Sequence, residues 1–340
     1  MIMNKSAASG SSRKRKIWHY TPDLPIEKPP LFCWPPRLWK ILIFILGAWR
    51  PDKARIVFFG IALGIWYFFS PSLEQAATFQ VGWMFEIWVR NFILVLVVAG
   101  GLHLHFYTFR RQKEDLQYDT RPFATKNRIF HFNNQVFDNM FWTLTTGVLA
   151  WTGWECIIMW AYANGYATMI TFESNPVWFL SLIILVPFWA GFFFYWQHRA
   201  FHTRLAYTHI HSWHHKNVNT GPWSGLAMHP VEHIVLMADT LIFFVIASHP
   251  VHAIFLLLTH GLGAPASHTG FEAARITKNV RWDVGDFYHH LHHRFIDCNY
   301  GVPETPWDFV FGTFHDGTAE GDQYINDLRR KMYRKQLKSA

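Results

Sequence analysis

Charge is the first thing this chain lacks: only 16% of its 340 residues are Asp, Glu, Lys or Arg, against roughly 25% in an ordinary soluble domain. That leaves too little charge to coat a water-facing surface along the whole chain. Cysteine is nearly absent as well. Cys33, Cys156 and Cys298 are the only three, and they show no disulfide pairing pattern. No Gly-x-Gly-x-x-Gly stands at a strand–helix junction and no Cys-x-x-Cys-His is present, so neither a dinucleotide nor a c-type haem has a recognisable seat. The start is Ser-rich and polar and ends in Arg13-Lys14-Arg15-Lys16, without the apolar stretch of a secretory signal. No internal repeat is found.

What is present is apolar and aromatic: 51% hydrophobic residues, with 32 Phe and 18 Trp. That composition excludes a solvated coil and fits a membrane protein with a polar part. Residues 1–37 form a basic, Pro-rich segment, and 38–187 carry membrane helices. Leu38 to Trp49 is apolar but short, which suits a helix lying in the interface. Full spans are predicted at about Ile56–Phe69, Met84–Phe106, Met140–Ala163 and Val177–Trp196. Glu86 and Arg90 form a helix-spaced pair in the second, and Pro187 kinks the fourth. Ile234 to Leu262 is interrupted by Ser248-His249-Pro250 and reads as two short helices in a re-entrant or interfacial hairpin.

Lys and Arg set the orientation. Eleven basic residues precede the first span, the loop between the second and third carries Arg110, Arg111, Lys113, Arg121, Lys126 and Arg128, and the basic tail 317–340 closes the chain. The connections at Pro71–Gly82 and Asn164–Pro176 carry none. Four spans therefore put every basic segment, and both termini, on the cytoplasmic side. The expected architecture is all-α and multi-pass, with a histidine-rich cytoplasmic helical cap. The net charge of +8 is accounted for by topology and anionic headgroups; nucleic-acid binding is not expected.

Sixteen of the 21 histidines lie between His198 and His293. His198 and His202 are four apart, at the end of the fourth span. His211, His214 and His215 follow, then His289, His292 and His293. Spacings of three and four put these imidazoles near one helix face, and neutral imidazole binds first-row transition metals. Eight buried imidazoles without metal would need many hydrogen-bond partners. The number suits two ions with open positions; all-nitrogen surroundings favour iron, with copper and zinc open by ligand type.

Trp196-Gln197-His198-Arg199-Ala200-Phe201-His202, followed by Tyr207 to His215, resembles the fatty acid hydroxylase/sterol desaturase superfamily. So do Ser224-Gly225-Leu226-Ala227-Met228-His229-Pro230, Ser267-His268-Thr269-Gly270, Asn299-Tyr300-Gly301 and Trp307-Asp308-Phe309-Val310-Phe311-Gly312-Thr313. The similarity spans 188–316, which it marks as the catalytic region. It implies a non-haem di-iron oxygenase that hydroxylates or desaturates a lipid with O2 and electrons from a separate donor, such as a cytochrome b5 or ferredoxin system. It implies His198, His202, His211, His214, His215, His268, His289, His292 and His293 as ligands and no further catalytic side chain. His229, His233 and His290 stand as either ligands or partners of ligands. The resemblance places such an enzyme in a bacterial inner membrane or the endoplasmic reticulum.

Two other readings are carried. An acyl-chain desaturase of the other three-box family would place its first two boxes tens of residues apart, whereas eight residues separate His202 from His211. A metal transporter or metal-binding membrane protein would line its spans with ligands, whereas here the boxes follow a span. The substrate is open among sterols, fatty acyl or sphingoid chains and related lipids.

Overall fold

The computed structural model describes residues 18–50, 53–278 and 280–339; the basic run Arg13–Lys16 lies outside them. The interfacial helix forms as α1 (Leu38–Gly47). Its Leu38, Trp39, Leu42, Ile43 and Leu46 are exposed at helical spacing, so an apolar stripe faces outward. Next come α2 (Ala54–Phe68) and α3 (Val81–His103), the latter running on through a π turn to Thr108. Helix α4 (Gln135–Trp142), a π turn at Thr143–Gly147 and α5 (Val148–Ala163) follow without a break, then α6 (Pro176–Phe201).

Among the described residues two helices, Val81–Thr108 and Pro176–Phe201, are long and apolar enough to cross a bilayer. Both carry exposed Phe, Leu, Ile and Val: Phe85, Ile93 and Val97 on one, Leu180, Ile184 and Phe192 on the other. The other two expected spans differ. Helix α2 has 15 residues, about 22 Å against a hydrocarbon core of ~30 Å. The helix ending at Ala163 holds Thr143, Thr145, Thr146 and Glu155, which dilute its apolar run. Pro187 lies inside α6, which stays helical through it. One expectation inside the spans is corrected. Arg90 pairs with Glu155 at 2.5 Å and with Asn91, not with Glu86, because the buried Glu155 carboxylate requires a cation.

The Ile234–Leu262 region folds as two short arms. Helix α7 (Pro230–Leu236) and a 3-10 segment (Ala238–Phe244) lead away from the histidine boxes, and α8 (Pro250–Gly261) leads back. Pro250 stands at the first turn of α8, where its missing N–H costs nothing. The bend pairs through Ser248 with Thr168 and Ile170. Helix α8 is packed on α2, α5 and α6 and is buried almost throughout, which explains its all-round apolar sequence.

One departure from an all-helical chain is a small antiparallel hairpin, β1 (Ala273–Arg275) with β2 (Arg281–Asp283). Three-residue strands carry no legible alternation. Helix α9 (Phe287–Phe295) bears the last box, with the Asp286 side chain accepting from the His289 N–H at its N-terminus. The basic end folds as α10 (Ala319–Ser339), and Ile325 joins Trp18, Tyr118, Phe287 and Leu291 in a core that clamps α9 from outside.

Candidate metal centre

Four pieces of backbone converge on one place. The end of α6 supplies His198, and His202 caps it. A π turn (Tyr207–His211) runs into the short helix Ser212–His215. His268 caps the helix Gly263–Ser267, and α9 supplies the rest. The donor nitrogens fall into two groups, each with its atoms within 4.8 Å of one another: His198, His202, His211, His215 and His292 in one, His214, His268, His289 and His293 in the other.

Helical spacing explains the division. A residue four positions on is turned about 40° from the first, whereas a residue three positions on is turned about 60° the other way. Each four-apart pair (His198/His202, His211/His215, His289/His293) therefore stays in one group. The residues between them, His214 and His292, point to the other group. The two HxxHH boxes thus bridge the two positions.

Outer hydrogen bonds fix which nitrogen faces inward. His198 Nδ1 donates to the Tyr300 carbonyl at 2.6 Å, His292 Nδ1 to Cys298 at 2.6 Å and His268 Nδ1 to Ala264 at 2.8 Å. His211 Nδ1 lies 2.6 Å from Glu232 Oε1. With protons held outside, Nε2 of His198 and Nε2 of His211 present lone pairs to each other at 3.0 Å. Two lone pairs at that distance repel unless a cation lies between them. Nε2 of His202 is buried with no partner in the protein. A first-row metal with bonds of about 2.1 Å separates opposite nitrogens by about 4.2 Å, close to the spread found. The donor set therefore fits two metal ions with nitrogen ligands.

Burial keeps these imidazoles neutral, the form that ligates: it lowers His211 and His214 to about 3 and His268 to about 4, and pushes His215, His289, His292 and His293 well below the usual 6.5. In metal-free protein the folded state then holds fewer protons than the unfolded chain below pH 6.5. Stability is fully present above that value and is lost as pH falls through it toward 4. Thermal unfolding of chelator-treated protein between pH 8 and 4 checks this: the midpoint falls steeply below pH 6.5, and a flat profile contradicts it.

Several supporting residues escaped the sequence reading. Glu232, one turn into α7, is buried and raised to about 7 by that burial; a cation bound next to its partner His211 would favour its ionised form. Only its place three residues after His229 hinted at it. Substituting Glu232→Ala is expected to lower metal affinity 10- to 100-fold, the usual cost of removing a carboxylate behind a ligating histidine; metal titration of the chelated variant measures it. The Ser224–Pro230 run also gains a reason. A Cβ on Gly225 would stand 2.3 Å from the Ala264 carbonyl, so only glycine lets this loop approach the strand of backbone that orients His268. Its Ala227 carbonyl lies 3.4 Å from His214 Nδ1.

The remaining candidates lie apart. His233 spends Nε2 on the Leu226 carbonyl at 2.8 Å and sets Nδ1 against Thr146. His229 accepts from the Val231 N–H and packs on Trp213. His290 faces Trp18, Tyr118 and Thr220. All three fall outside both groups, so of the two roles left open for them the ligand role finds no geometry. His209 is exposed.

Beside the histidines lies a largely apolar cavity of about 230 Å³, lined by Pro187, Ala190, Phe194, Met228 and Leu236 and by His198, His211, His214, His268 and His289. It adjoins a larger cavity of about 970 Å³ beneath α1, between α2 and α3. Arg55, Gly263, Ser267, Asp286, Val302 and Glu304 line both. At this junction Arg55 and Glu304 form an ion pair at 2.7 Å.

This arrangement can be set beside known proteins. The fatty acid hydroxylase family model matches residues 182–313. Rat (Rattus norvegicus) lathosterol oxidase is 26% identical over 278 residues, 78% of this chain and 89% of that protein. Residues 182–313 thus carry a fatty acid hydroxylase domain, and the chain is similar to members of the fatty acid hydroxylase/sterol desaturase superfamily. Human (Homo sapiens) lathosterol oxidase is 31% identical over 40% of this chain and 46% of its own length. A Delta(7)-sterol 5(6)-desaturase of Leptosphaeria maculans is 29% identical over 47% and 45%. No solved structure matches the chain. Within this superfamily the match ends at residue 313, so it includes all nine grouped histidines and also Asp308.

Proposed function

We propose that this chain is a multi-pass membrane oxidoreductase that uses O2 and electrons from a separate carrier to desaturate or hydroxylate a C–H bond of a sterol or related lipid, with two iron ions as cofactor. The observation that carries the reading is the pair of buried, all-histidine groups beside an apolar cavity. His198, His202, His211, His215 and His292 would hold one ion; His214, His268, His289 and His293 would hold the other. Iron bound there supplies the O2 chemistry and oxidising power that an unactivated C–H bond demands and that no side chain offers. The protein's own part is geometric and electrostatic. Backbone carbonyls of Tyr300, Cys298 and Ala264 hold the rings in one tautomer, Glu232 braces His211, and the apolar walls seat the lipid and exclude water.

The relatives favour a sterol and desaturation, since two that overlap 78% of this chain are lathosterol oxidases and others are named sterol desaturases. Ile43 belongs both to the wall of the larger cavity and to the exposed apolar stripe of α1, which supports lateral access from the bilayer. We place the four spans so that the termini and the histidines share the cytoplasmic face, where the basic loops attract an acidic electron carrier. Transport of metal finds less support, because the histidines gather at one end instead of lining the helices.

Lipid profiling under ¹⁸O2 tests the reading. Cells expressing the chain and supplied with lathosterol accumulate a sterol with two hydrogens fewer, or one carrying a single ¹⁸O, and cells without it do not. No change in any lipid, with metal still bound, would overturn it.

A further inference from the structure

His260 belongs to none of the three boxes and to neither metal-site group. It stands at the end of α8, and its Nε2 lies 2.7 Å from Asp239 Oδ2. Both residues are buried, at 7% and 1% exposure. Withdrawing such a pair from water is costly unless its remaining polar atoms are also satisfied. Here they are not. Asp239 Oδ1 is buried without a partner, and His260 Nδ1 makes no hydrogen bond among the described residues. The dyad is nevertheless firmly held: Trp189 Nε1 donates to the Asp239 carbonyl at 2.9 Å, and the Trp151 ring packs so close to Gly261 that a Cβ there would stand 2.4 Å from it.

His260 lines the same cavity as His198, His211, His214, His268 and His289. Most other polar side chains in that wall are committed. Arg55 pairs with Glu304, Thr259 donates to the Phe255 carbonyl and Ser267 to that of Ala264. Gln197 Oε1 and Glu232 Oε2 are unpartnered, but Gln197 adjoins the metal-site residue His198 in sequence and Glu232 braces the metal-site residue His211. That leaves His260 as an oriented, unpaired polar group away from the metal ligands, in a chamber otherwise suited to hydrocarbon.

We propose that His260, oriented by Asp239, binds the hydroxyl group of a lipid alcohol and so sets which carbon of that lipid lies against the metal centre. The Asp239 carboxylate accepts the Nε2 proton, which leaves Nδ1 as an acceptor. An acceptor in an apolar wall takes an O–H donor, and it rejects a methyl ether of the same lipid, which has no proton to give. This rests on the reading that a lipid occupies the cavity and adds which of its groups is recognised. His260 acts as a positioning residue.

The test is equilibrium binding of lathosterol and of its methyl ether to the purified metal-loaded protein, without O2 or reductant. The wild type binds the alcohol about 10-fold more tightly than the ether, the effect of one hydrogen bond to a neutral group. His260→Leu brings that ratio to about 1 through the alcohol alone, leaving ether affinity unchanged. Asp239→Asn lowers the ratio, and His260→Gln, which keeps an acceptor, restores part of it. Retained metal content and thermal midpoint show that each variant is folded. Equal binding of the two sterols by the wild type, or an unchanged ratio in His260→Leu, overturns the proposal. A preserved ratio without turnover when O2 and reductant are added sinks the oxidoreductase reading and leaves this one standing. Failure to bind either sterol overturns the sterol assignment on which both depend.

Discussion

Cells expressing a His214→Ala, His215→Ala double variant are expected to make none of the oxidised lipid formed by the wild type. The two residues are adjacent in sequence yet serve different groups, His215 the five-nitrogen group and His214 the four-nitrogen group. One double substitution therefore removes a donor from both metal positions. Loss of a mere hydrogen-bond partner of a ligand costs up to about 100-fold in affinity or activity, so loss of two direct donors should exceed 100-fold. A structural role alone predicts something else. Both rings are buried, and their removal leaves space in the core, so stability would fall while metal content and activity per folded molecule held. Activity normalised to folded protein, measured with bound metal, separates the two. Wild-type activity per folded molecule would count against the metal centre.

Asp308→Ala is expected to destabilise the protein by about 3 kcal/mol or more, as a buried charged hydrogen-bonding hub does when removed. Asp308 is 1% exposed and touches no grouped histidine. Its Oδ1 accepts from the Tyr300 N–H at 3.0 Å and from the Thr313 hydroxyl at 2.6 Å. Its Oδ2 accepts from the Gly301 N–H and the Tyr288 hydroxyl, both at 2.8 Å. This carboxylate thereby ties α9 to the 299–301 loop, and the loop's Tyr300 carbonyl receives the His198 Nδ1 proton. The expected result is a lower thermal midpoint together with weakened metal retention. Thermal unfolding in detergent, with metal content measured in parallel, reads both. An unchanged midpoint would show that the loop is held by other means.

The parts of this site that could be read from sequence were those encoded in local spacing. HxxxH and HxxHH on helices place side chains on one face whatever the rest of the chain does, and all eight box histidines converge. The assignment of His214 and His292 to the opposite group from their neighbours also follows from helical rotation, but only once the helices are known to face each other. His268 lay outside any box and was reached through resemblance. Glu232 and Asp308 act across gaps of 21 residues to His211 and 20 to Tyr288, where nothing local marks a partnership. The Arg90–Glu155 pair makes the same point, because a helix-spaced neighbour at Glu86 is an attractive wrong answer when the true partner lies on another helix. Among the elements, long apolar helices were legible. Helix α2 was legible as well, expected at Ile56–Phe69 and found at Ala54–Phe68, though shorter than a full span; the three-residue strands were not, since they carry too few residues for a period to stand out.

The claim at the centre of the account is that nine histidines, eight of them buried, hold two metal ions. Elemental analysis of protein purified from iron-replete cells tests it most directly. The account predicts about two iron atoms per chain, one for each group, falling in the His214→Ala, His215→Ala variant. One zinc per chain with no iron, or folded and active protein with no metal at all, would contradict it.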